Sequence, residues 1–268
     1  MKYRTISAFM VLALANAIAS AAPPPQPDPQ TDQMLTAMFN ASTWGHPGLF
    51  GEFAGTRYYF AGKYASAMSY FKIGARYADK LSQLSIGLMY ENGDGVDKDP
   101  VMACAWMALA AERKYPSYVE TRDRVCKALT PEQHDQAVAA LDKLMPEYGD
   151  AVAKKRMIRA LQMALMEGGT GSRLGFDSDI DTVGTSSTGC GGPSIVIAGK
   201  PLPHAGCGSG HQYYDPSFWD PKQYFAARDS QWQGTVTVGT VQDLHEAVKA
   251  AQPSTPPAPS SSGASTHR

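Results

Sequence analysis

The sequence has none of the short motifs that mark the common hydrolases. It contains neither Gly-x-Ser-x-Gly, which presents a nucleophilic serine on a sharp turn, nor His-Glu-x-x-His, which places two zinc ligands and a base on one helix. The glycine-rich stretch 169–175 follows an expected helix rather than a strand, so it lacks the context of a phosphate-binding loop. We therefore expect no catalytic residues, no cofactor and a non-enzymatic function.

The chain also has little excess charge of either sign. Lysine and arginine number 24 and aspartate and glutamate number 25, which gives a net charge of −1, and neither sign clusters strongly. This balance excludes recognition driven by bulk charge, so we expect no nucleic-acid partner and no attraction to an anionic membrane surface.

No apolar run is long enough to make a stable membrane span. The apolar run at 6–19 follows Lys2 and Arg4 and is followed by the small residues Ala19-Ser20-Ala21. A basic start, a short apolar core and a small-x-small site are typical of a secretory signal peptide. We expect a signal peptide over residues 1–21, cleavage after Ala21, and export to the bacterial periplasm or medium.

Composition divides the remaining chain. The expected regions are a proline-rich linker at 22–33, a helical repeat domain at 34–167, a glycine- and aromatic-rich extension at 168–251 and a disordered tail at 252–268. Thr130, Pro131 and Gln133 form a capping box and predict a helix that ends before Pro146. Two short apolar runs, 195–197 and 236–238, predict the little β structure we expect, paired with each other. The fold class is mainly α.

The helical region contains the same two-helix unit twice. Small and aromatic residues mark equivalent positions: Gly55, Tyr58, Ala67, Phe71 and Gly74 in the first copy, and Gly87, Tyr90, Ala103, Met107 and Ala110 in the second. Ala67 and Ala103 lie 36 positions apart, whereas Gly55 and Gly87 lie 32 apart, so the second copy has four extra residues between its helices. A period in this range is typical of stacked helical hairpins, which are best defined here over 50–112.

The second copy resembles a Sel-one-like repeat. The resemblance rests on the glycine-containing stretch 86–96, followed by Asp99, Ala103, Trp106, Ala110 and Ala111. The first copy, from Gly55 to Phe71, is similar to an ordinary tetratricopeptide unit, to which that family is related. The resemblance implies a short solenoid of α-α hairpins, in which Gly93 and Gly95 provide the positive φ angles of the longer loop.

The resemblance also implies a function. Members of this family typically act as adaptors that assemble protein complexes, so it implies an interaction module with a protein partner. In such hairpins the first helices and the loop line a concave binding face. We therefore expect Arg57, Tyr58, Glu91 and Asn92 to contact the partner, whose identity the sequence does not reveal.

The cysteine count suits an oxidising compartment. The four residues are Cys104, Cys126, Cys190 and Cys207, which allow three pairings. We favour the sequential pairing, Cys104 with Cys126 and Cys190 with Cys207, because each bond then closes a short loop within one region.

Two side-chain sets are candidates for a metal ion. Cys190, His204, Cys207 and His211 are close enough in sequence to surround zinc or copper, which is the basis of an alternative function as a metal-binding protein. Asp177, Asp179 and Asp181 alternate as calcium ligands do, but Thr182 stands where the tight turn needs glycine. We expect disulfide formation and a solvated acidic loop instead, with no bound metal.

The extension is dense in aromatic residues: Tyr213, Tyr214, Phe218, Trp219, Tyr224, Phe225 and Trp232. Such a segment most often packs as a flap over an exposed helical face, and we favour that interpretation. The alternative is an exposed platform that stacks on sugar rings, which would make the protein a cell-wall or glycan-binding protein.

Counting free thiols separates the disulfide and metal hypotheses. Because paired cysteines carry no thiol, the exported protein denatured without reductant should react with no thiol reagent at any of its four cysteines. Two reactive thiols at Cys190 and Cys207 would contradict the sequential pairing and restore the metal site as a candidate.

Overall fold

The computed structural model describes residues 28–168, 192–205 and 210–233, and these residues are mainly α-helical, which confirms the predicted fold class. The longer helices are α1 (Pro29–Asn40), α2 (Pro47–Phe60), α3 (Tyr64–Arg76), α4 (Lys80–Asn92), α5 (Pro100–Ala110), α6 (Pro116–Lys127), α7 (Pro131–Tyr148) and α8 (Asp150–Gly168). A 3-10 turn, Ala111–Arg113, joins α5 to α6. The later elements are β1 (Val196–Ile197), β2 (Lys200–Pro201), α9 (Gly210–Tyr213), α10 (Pro216–Trp219) and α11 (Pro221–Ser230).

Proline and a polar cap define many helix starts, as the preset φ of proline and a side-chain acceptor favour the first turn. The capping box of Thr130 and Gln133 is present at the start of α7 and confirms that prediction. The predicted end is wrong, because α7 continues through Pro146 to Tyr148. Pro146 is exposed and lies in the last turn, where one missing hydrogen bond is tolerated.

The first predicted strand forms, but its partner in the described residues is a strand that was not predicted. Val196 lies opposite Pro201 and Ile197 opposite Lys200 in an antiparallel hairpin, whereas 236–238 lies outside the described residues. The connection needs only Ala198 and Gly199, which both have positive φ (49° and 79°). Two such residues form the turn whose twist matches a tight hairpin.

The two predicted hairpins both form and are packed together. Helix α2 packs along α3 and α4 along α5, while α3 also packs against α4. Helix α5 further contacts α6 and α7, and α8 returns to contact α2 and α3. Helix α4 itself packs against α2, α3 and α5, and its residues from Lys80 to Met89 are all buried. Helix α4 is therefore the central helix of the described core.

Two local predictions concern covalent and backbone geometry. Cys104 and Cys126 form a disulfide that joins α5 to α6, as predicted, and Cys190 and Cys207 lie outside the described residues. The loop between α4 and α5 has positive φ at Gly93 and Gly95 (83° and 71°), which confirms the role expected of these glycines.

None of the described helices is long and apolar enough to cross a membrane.

Helices α2 and α3 approach each other closely at glycine. A Cβ atom on Gly51 would lie 2.1 Å from the backbone nitrogen and 2.6 Å from the Cα of Gly74. By contrast, a Cβ on Gly48, one turn earlier in α2, would meet its nearest atom, the carbonyl oxygen of Tyr77, at 3.5 Å. The distance between the two helices is thus set by the missing side chain at Gly51.

Replacing each glycine by alanine tests this packing. We expect Gly51→Ala to lower the free energy of unfolding by about 1–3 kcal/mol, because backbone must move to admit the methyl group. The matched Gly48→Ala should leave it unchanged or raise it by about 0.5–1 kcal/mol through helix propensity. Urea unfolding followed by circular dichroism measures both, and equal effects would contradict the close approach.

Candidate functional site

The predicted contact residues lie at the carboxyl ends of two helices. Arg57 and Tyr58 are half-buried in the last turn of α2, and Glu91 and Asn92 end α4. The Tyr59 hydroxyl donates to Asp94 Oδ2 at 2.8 Å, and the Asn92 amide lies 3.2 Å from the same oxygen. The structure therefore brings both pairs to the same end of the two hairpins.

The expected concave binding face is not open along α4. Every residue from Lys80 to Met89 is buried, so this helix offers no free side to a partner. The side chains of α8 that are buried, Ala153, Met157, Leu161 and Ala164, recur at helical spacing and form one buried stripe on that helix. A partner can therefore reach the helix ends, with Glu91 and Asn92, and the outer side of α2, but not α4 between Lys80 and Met89.

Aromatic rings line the outer side of α2 and its neighbours. Phe39 on α1 is 60% exposed and Phe50 on α2 is 43% exposed. Tyr58 lies parallel to Tyr70 of α3 with ring centroids 5.1 Å apart, and Phe50 meets Tyr70 nearly at a right angle at 5.6 Å. We call these four residues, with Arg57 and Lys63, the aromatic surface.

The two cations of the aromatic surface lie against its rings. The Arg57 guanidinium is 4.5 Å from the centre of the Phe39 ring, and the Lys63 ammonium is 5.9 Å from that of Tyr58. Both distances lie within the range of cation–π attraction. Arg57 and Tyr58, predicted from the sequence, belong to this surface. Phe39, Phe50 and Tyr70 were not predicted, because the sequence does not show which aromatic residues of these helices stay at the surface.

The aromatic residues of the extension are mainly buried. Phe218, Trp219, Tyr224 and Trp232 are buried, and Tyr213, Tyr214 and Phe225 are half-buried. The Trp219 ring lies 5.4 Å from Trp44 and 4.7 Å from His46, and Trp232 lies 5.2 Å from Tyr118. This packing confirms the flap interpretation, and it contradicts an exposed glycan platform at these rings. We call residues 210–233 the C-terminal segment.

His46 fixes the C-terminal segment to the turn before α2. Its Nδ1 lies 2.7 Å from the carbonyl oxygen of Trp44, and its Nε2 lies 2.7 Å from that of Phe218. Burial lowers the pKa of His46, although both carbonyls favour the charged ring. A neutral imidazole has one N–H and donates to only one of these carbonyls.

A buried arginine lies at the centre of the contact between the C-terminal segment and the hairpins. The guanidinium of Arg228, on α11, pairs with Glu52 of α2 and, at 2.7 Å, with Asp79 Oδ2. All three side chains are buried. Asp79 also accepts the backbone N–H of Ser82 at 2.7 Å, as the N-cap of α4. One carboxylate thus caps the central helix and holds the C-terminal segment.

Two buried carboxyl groups share this single guanidinium. Burial raises the pKa of Glu52 to about 8, with the neighbouring Asp79 acting in the same direction and Arg228 opposing both. Asp79 is already engaged by the backbone N–H of Ser82 and by Arg228. We infer that Glu52 holds the proton at neutral pH, so that the cluster of Arg228, Asp79 and Glu52 is neutral overall.

Asp229, which follows Arg228 in α11, begins a second chain of ion pairs. Asp229 pairs with Arg113 at 2.9 Å, and Arg113 pairs with Asp150 at 2.7 Å. Asp150 also lies 3.1 Å from the Lys80 ammonium, which pairs with Glu112 at 2.9 Å. Burial would raise the pKa of Asp150, but the hydrogen bond from Arg113 and the charges around it hold that pKa well below its usual range. These pairs join α4, α8 and the 3-10 turn to the C-terminal segment.

The buried charges have no room for a substrate. A cavity of about 10 Å³, the size of one water molecule, is lined by residues that include Asp79, Arg113 and Arg228. Ligand pockets are usually larger than about 300 Å³. The network therefore serves to hold elements together, and the aromatic surface is the candidate functional site.

The metal candidates fall largely outside the described residues. Of the four residues in the cysteine–histidine set, the side chain of His204 alone is described, and its Nε2 lies 2.9 Å from the hydroxyl of Ser194. Asp177, Asp179 and Asp181 are outside as well. Within the residues that the structure describes, no three His, Cys, Asp or Glu side chains are grouped to bind a metal ion.

Comparisons with protein-family models, curated proteins and solved structures found no match to this chain. The likeness to Sel-one-like repeats therefore rests on the residues themselves.

The location of the proton on Glu52 can be tested by two isosteric substitutions. Glu52→Gln mimics the protonated acid and should lower the free energy of unfolding by less than about 1 kcal/mol. Asp79→Asn keeps a capping side chain but removes the charge paired with Arg228. It should lower the free energy of unfolding by about 3 kcal/mol. Chemical denaturation at pH 7 measures both, and equal costs would contradict the assignment.

The raised pKa of Glu52 also predicts that the stability of the fold depends on pH. Because the pKa of Glu52 is raised from 4.5 to about 8 on folding, its contribution to stability is fully present below pH 4.5 and is lost as the pH rises toward 8. Denaturation midpoints measured from pH 4.5 to 8 should show Glu52→Gln gaining stability relative to the wild type as the pH rises. A constant difference across this range would contradict the raised pKa.

Proposed function

We propose that this protein is an exported, non-enzymatic interaction module that binds a protein partner through the aromatic surface. The observation on which this rests is the exposure of Phe39 and Phe50 beside the Tyr58–Tyr70 stack. The chain buries most of the aromatic rings of its C-terminal segment, so a group of rings left at the surface is unusual within this molecule. Contiguous exposed apolar groups mark interaction sites in soluble proteins.

The composition of the aromatic surface supports a protein partner. Tyrosine and arginine are enriched among the residues that dominate binding energy at protein interfaces. Arg57 and Tyr58 are adjacent in α2, and each is held in place by a ring, Phe39 or Tyr70. Side chains already fixed in the free protein lose less conformational entropy on binding.

A non-enzymatic role is supported by the state of the buried charged groups. Arg228, Arg113 and Lys80 each pair with carboxylates between packed helices, which accounts for them as structural residues. Their environment is closed by Tyr224 and Trp232, which are buried above them. Groups engaged in this way are poorly placed to act on a substrate.

Export is supported by the disulfide. The bond between Cys104 and Cys126 joins two helices of the core, and such bonds form and persist in oxidising compartments. Together with the signal-like residues 1–21, it is consistent with a bacterial periplasmic or secreted protein. The adaptor role implied by the likeness to Sel-one-like repeats agrees with the same proposal.

Photocrosslinking in cells tests the proposal. A benzophenone amino acid in place of Tyr58 should form an adduct with one discrete protein on irradiation, because this position lies on the aromatic surface. The same amino acid in place of Val138, an exposed residue of α7, is the matched control and should give no such adduct. Equal adducts at both positions, or none at Tyr58, would contradict the proposal.

Co-sedimentation with purified peptidoglycan tests the alternative that the protein binds the cell wall. A protein-binding module should stay in solution when the peptidoglycan is sedimented. Sedimentation with the peptidoglycan that is lost on Tyr58→Ala would instead assign the aromatic surface to glycan.

A further inference from the structure

The charged side chains of α2, α3 and the turn between them are mostly cations. Helices α2 and α3 and the turn between them contain the carboxylate of Glu52 and the cations of Arg57, Lys63, Lys72 and Arg76. Glu52 is buried against Arg228, and Arg76 pairs with Glu147 at 2.8 Å. Arg57, Lys63 and Lys72 pair with no carboxylate in the part of the chain that the structure describes.

Two of these three cations belong to the aromatic surface. Arg57 covers Phe39 and Lys63 lies above Tyr58, so both charges sit among the rings. Lys72 is exposed but follows Tyr70 by two positions on α3, and residues two apart point to different sides of a helix. The aromatic surface thus combines apolar rings with two positive charges, and Lys72 is a cation of the same helix pair outside it.

The carboxylates on neighbouring elements do not pair with Arg57 or Lys63 in the described residues. The single carboxylate within α1 is Asp32, which is exposed and lies seven residues before Phe39. Seven residues correspond to about 10 Å along a helix, roughly the distance over which physiological salt screens exposed charges. The loop between α4 and α5 brings Asp94 to the same end of the hairpins, where it accepts hydrogen bonds from Tyr59 and Asn92. Among the described residues, neither Arg57 nor Lys63 pairs with these carboxylates, so both cations are available to a partner.

Ring orientation distinguishes a peptide from a sugar. Tyr58 and Tyr70 are parallel, within 4°, so each turns one face to the other, and Phe50 meets Tyr70 at 77°. Arg57 covers a face of Phe39. Sugar rings bind aromatic side chains through flat, open faces, and here one face each of Tyr58, Tyr70 and Phe39 already has a contact. The exposed Phe39 and Phe50 rings suit apolar side chains of a peptide, and Arg57 and Lys63 suit its carboxylates.

We propose that the aromatic surface binds an acidic peptide segment of its partner, with an aromatic or aliphatic side chain next to the carboxylates. The apolar side chain packs on Phe50 and the tyrosine pair, and the carboxylates pair with Arg57 and Lys63. This inference rests on the proposed function and specifies the chemistry of the partner.

Three labelled peptides test the chemistry with the full exported chain, by fluorescence anisotropy. The first combines glutamate and aspartate with phenylalanine and leucine, the second has lysine at every acidic position, and the third has alanine at every apolar position. We expect binding of the first peptide, at least about tenfold weaker binding of the third, and none of the second. Raising the salt from 0.05 to 0.5 M should weaken the first interaction, since exposed charges are screened.

Charge reversal locates the binding. The double substitution Arg57→Glu and Lys63→Glu should weaken binding of the first peptide at least about tenfold. The matched Lys72→Glu should change the affinity for this peptide by less than about twofold. All of these residues are at the surface, so the variants should fold, and circular dichroism verifies this. Preference for the lysine peptide, equal effects of the two variants, or no binding of the acidic peptide at 1 mM would overturn the inference.

The two proposals fail in different ways. A protein adduct at Tyr58 without acidic-peptide binding would overturn the peptide chemistry and leave the interaction module standing. Competition of the first peptide by soluble peptidoglycan fragments would assign the surface to glycan and overturn both.

Discussion

The pairing of Arg228 with Glu52 and Asp79 is the interaction on which the described fold depends most. It connects the first hairpin, the start of the central helix α4 and the C-terminal segment in one buried cluster. A buried cation is stable only when its charge is matched and its donors are satisfied. Two carboxyl groups that share one proton meet both conditions, since they supply one negative charge and several acceptor oxygens. One guanidinium thus holds three separate parts of the chain together.

The cluster also explains why the aromatic rings of the C-terminal segment are buried. Arg228 and Asp229 anchor α11 through ion pairs to two different sets of partners, the Glu52 and Asp79 pair and Arg113. With α11 fixed, Tyr224 and Trp219 reach the turn before α2, where they pack against His46. The rings of the C-terminal segment are therefore mainly part of the core, as the flap interpretation predicts, and the rings at the surface come from α1, α2 and α3.

Local signals in the sequence predicted much of the fold. The capping box at Thr130, the positive φ of Gly93 and Gly95, the two hairpins and the Cys104–Cys126 bond all depend on residues close in sequence. The ion cluster could not be predicted in this way, because Arg228 lies 149 positions from Asp79 and 176 from Glu52. The burial of α4 from Lys80 to Met89 depends on its packing against α2, α3 and α5, which the periodicity of one helix does not encode. Of the aromatic surface, Arg57 and Tyr58 were predicted from hairpin register, and Phe39 and Phe50 were not.

The long separation between Glu52 and Arg228 has a consequence for the order in which the protein is made. A chain synthesised from its N-terminus contains both carboxyl groups long before the arginine that pairs with them is added. Until then, the start of α4 has its cap but the space beside it is open to water, so the carboxyl groups remain hydrated. The hairpins can form from local contacts during this period, whereas closure over them waits for the last part of the described chain. A product truncated before residue 228 would therefore have hairpins without their cover, and quality-control proteases could distinguish it from the complete protein.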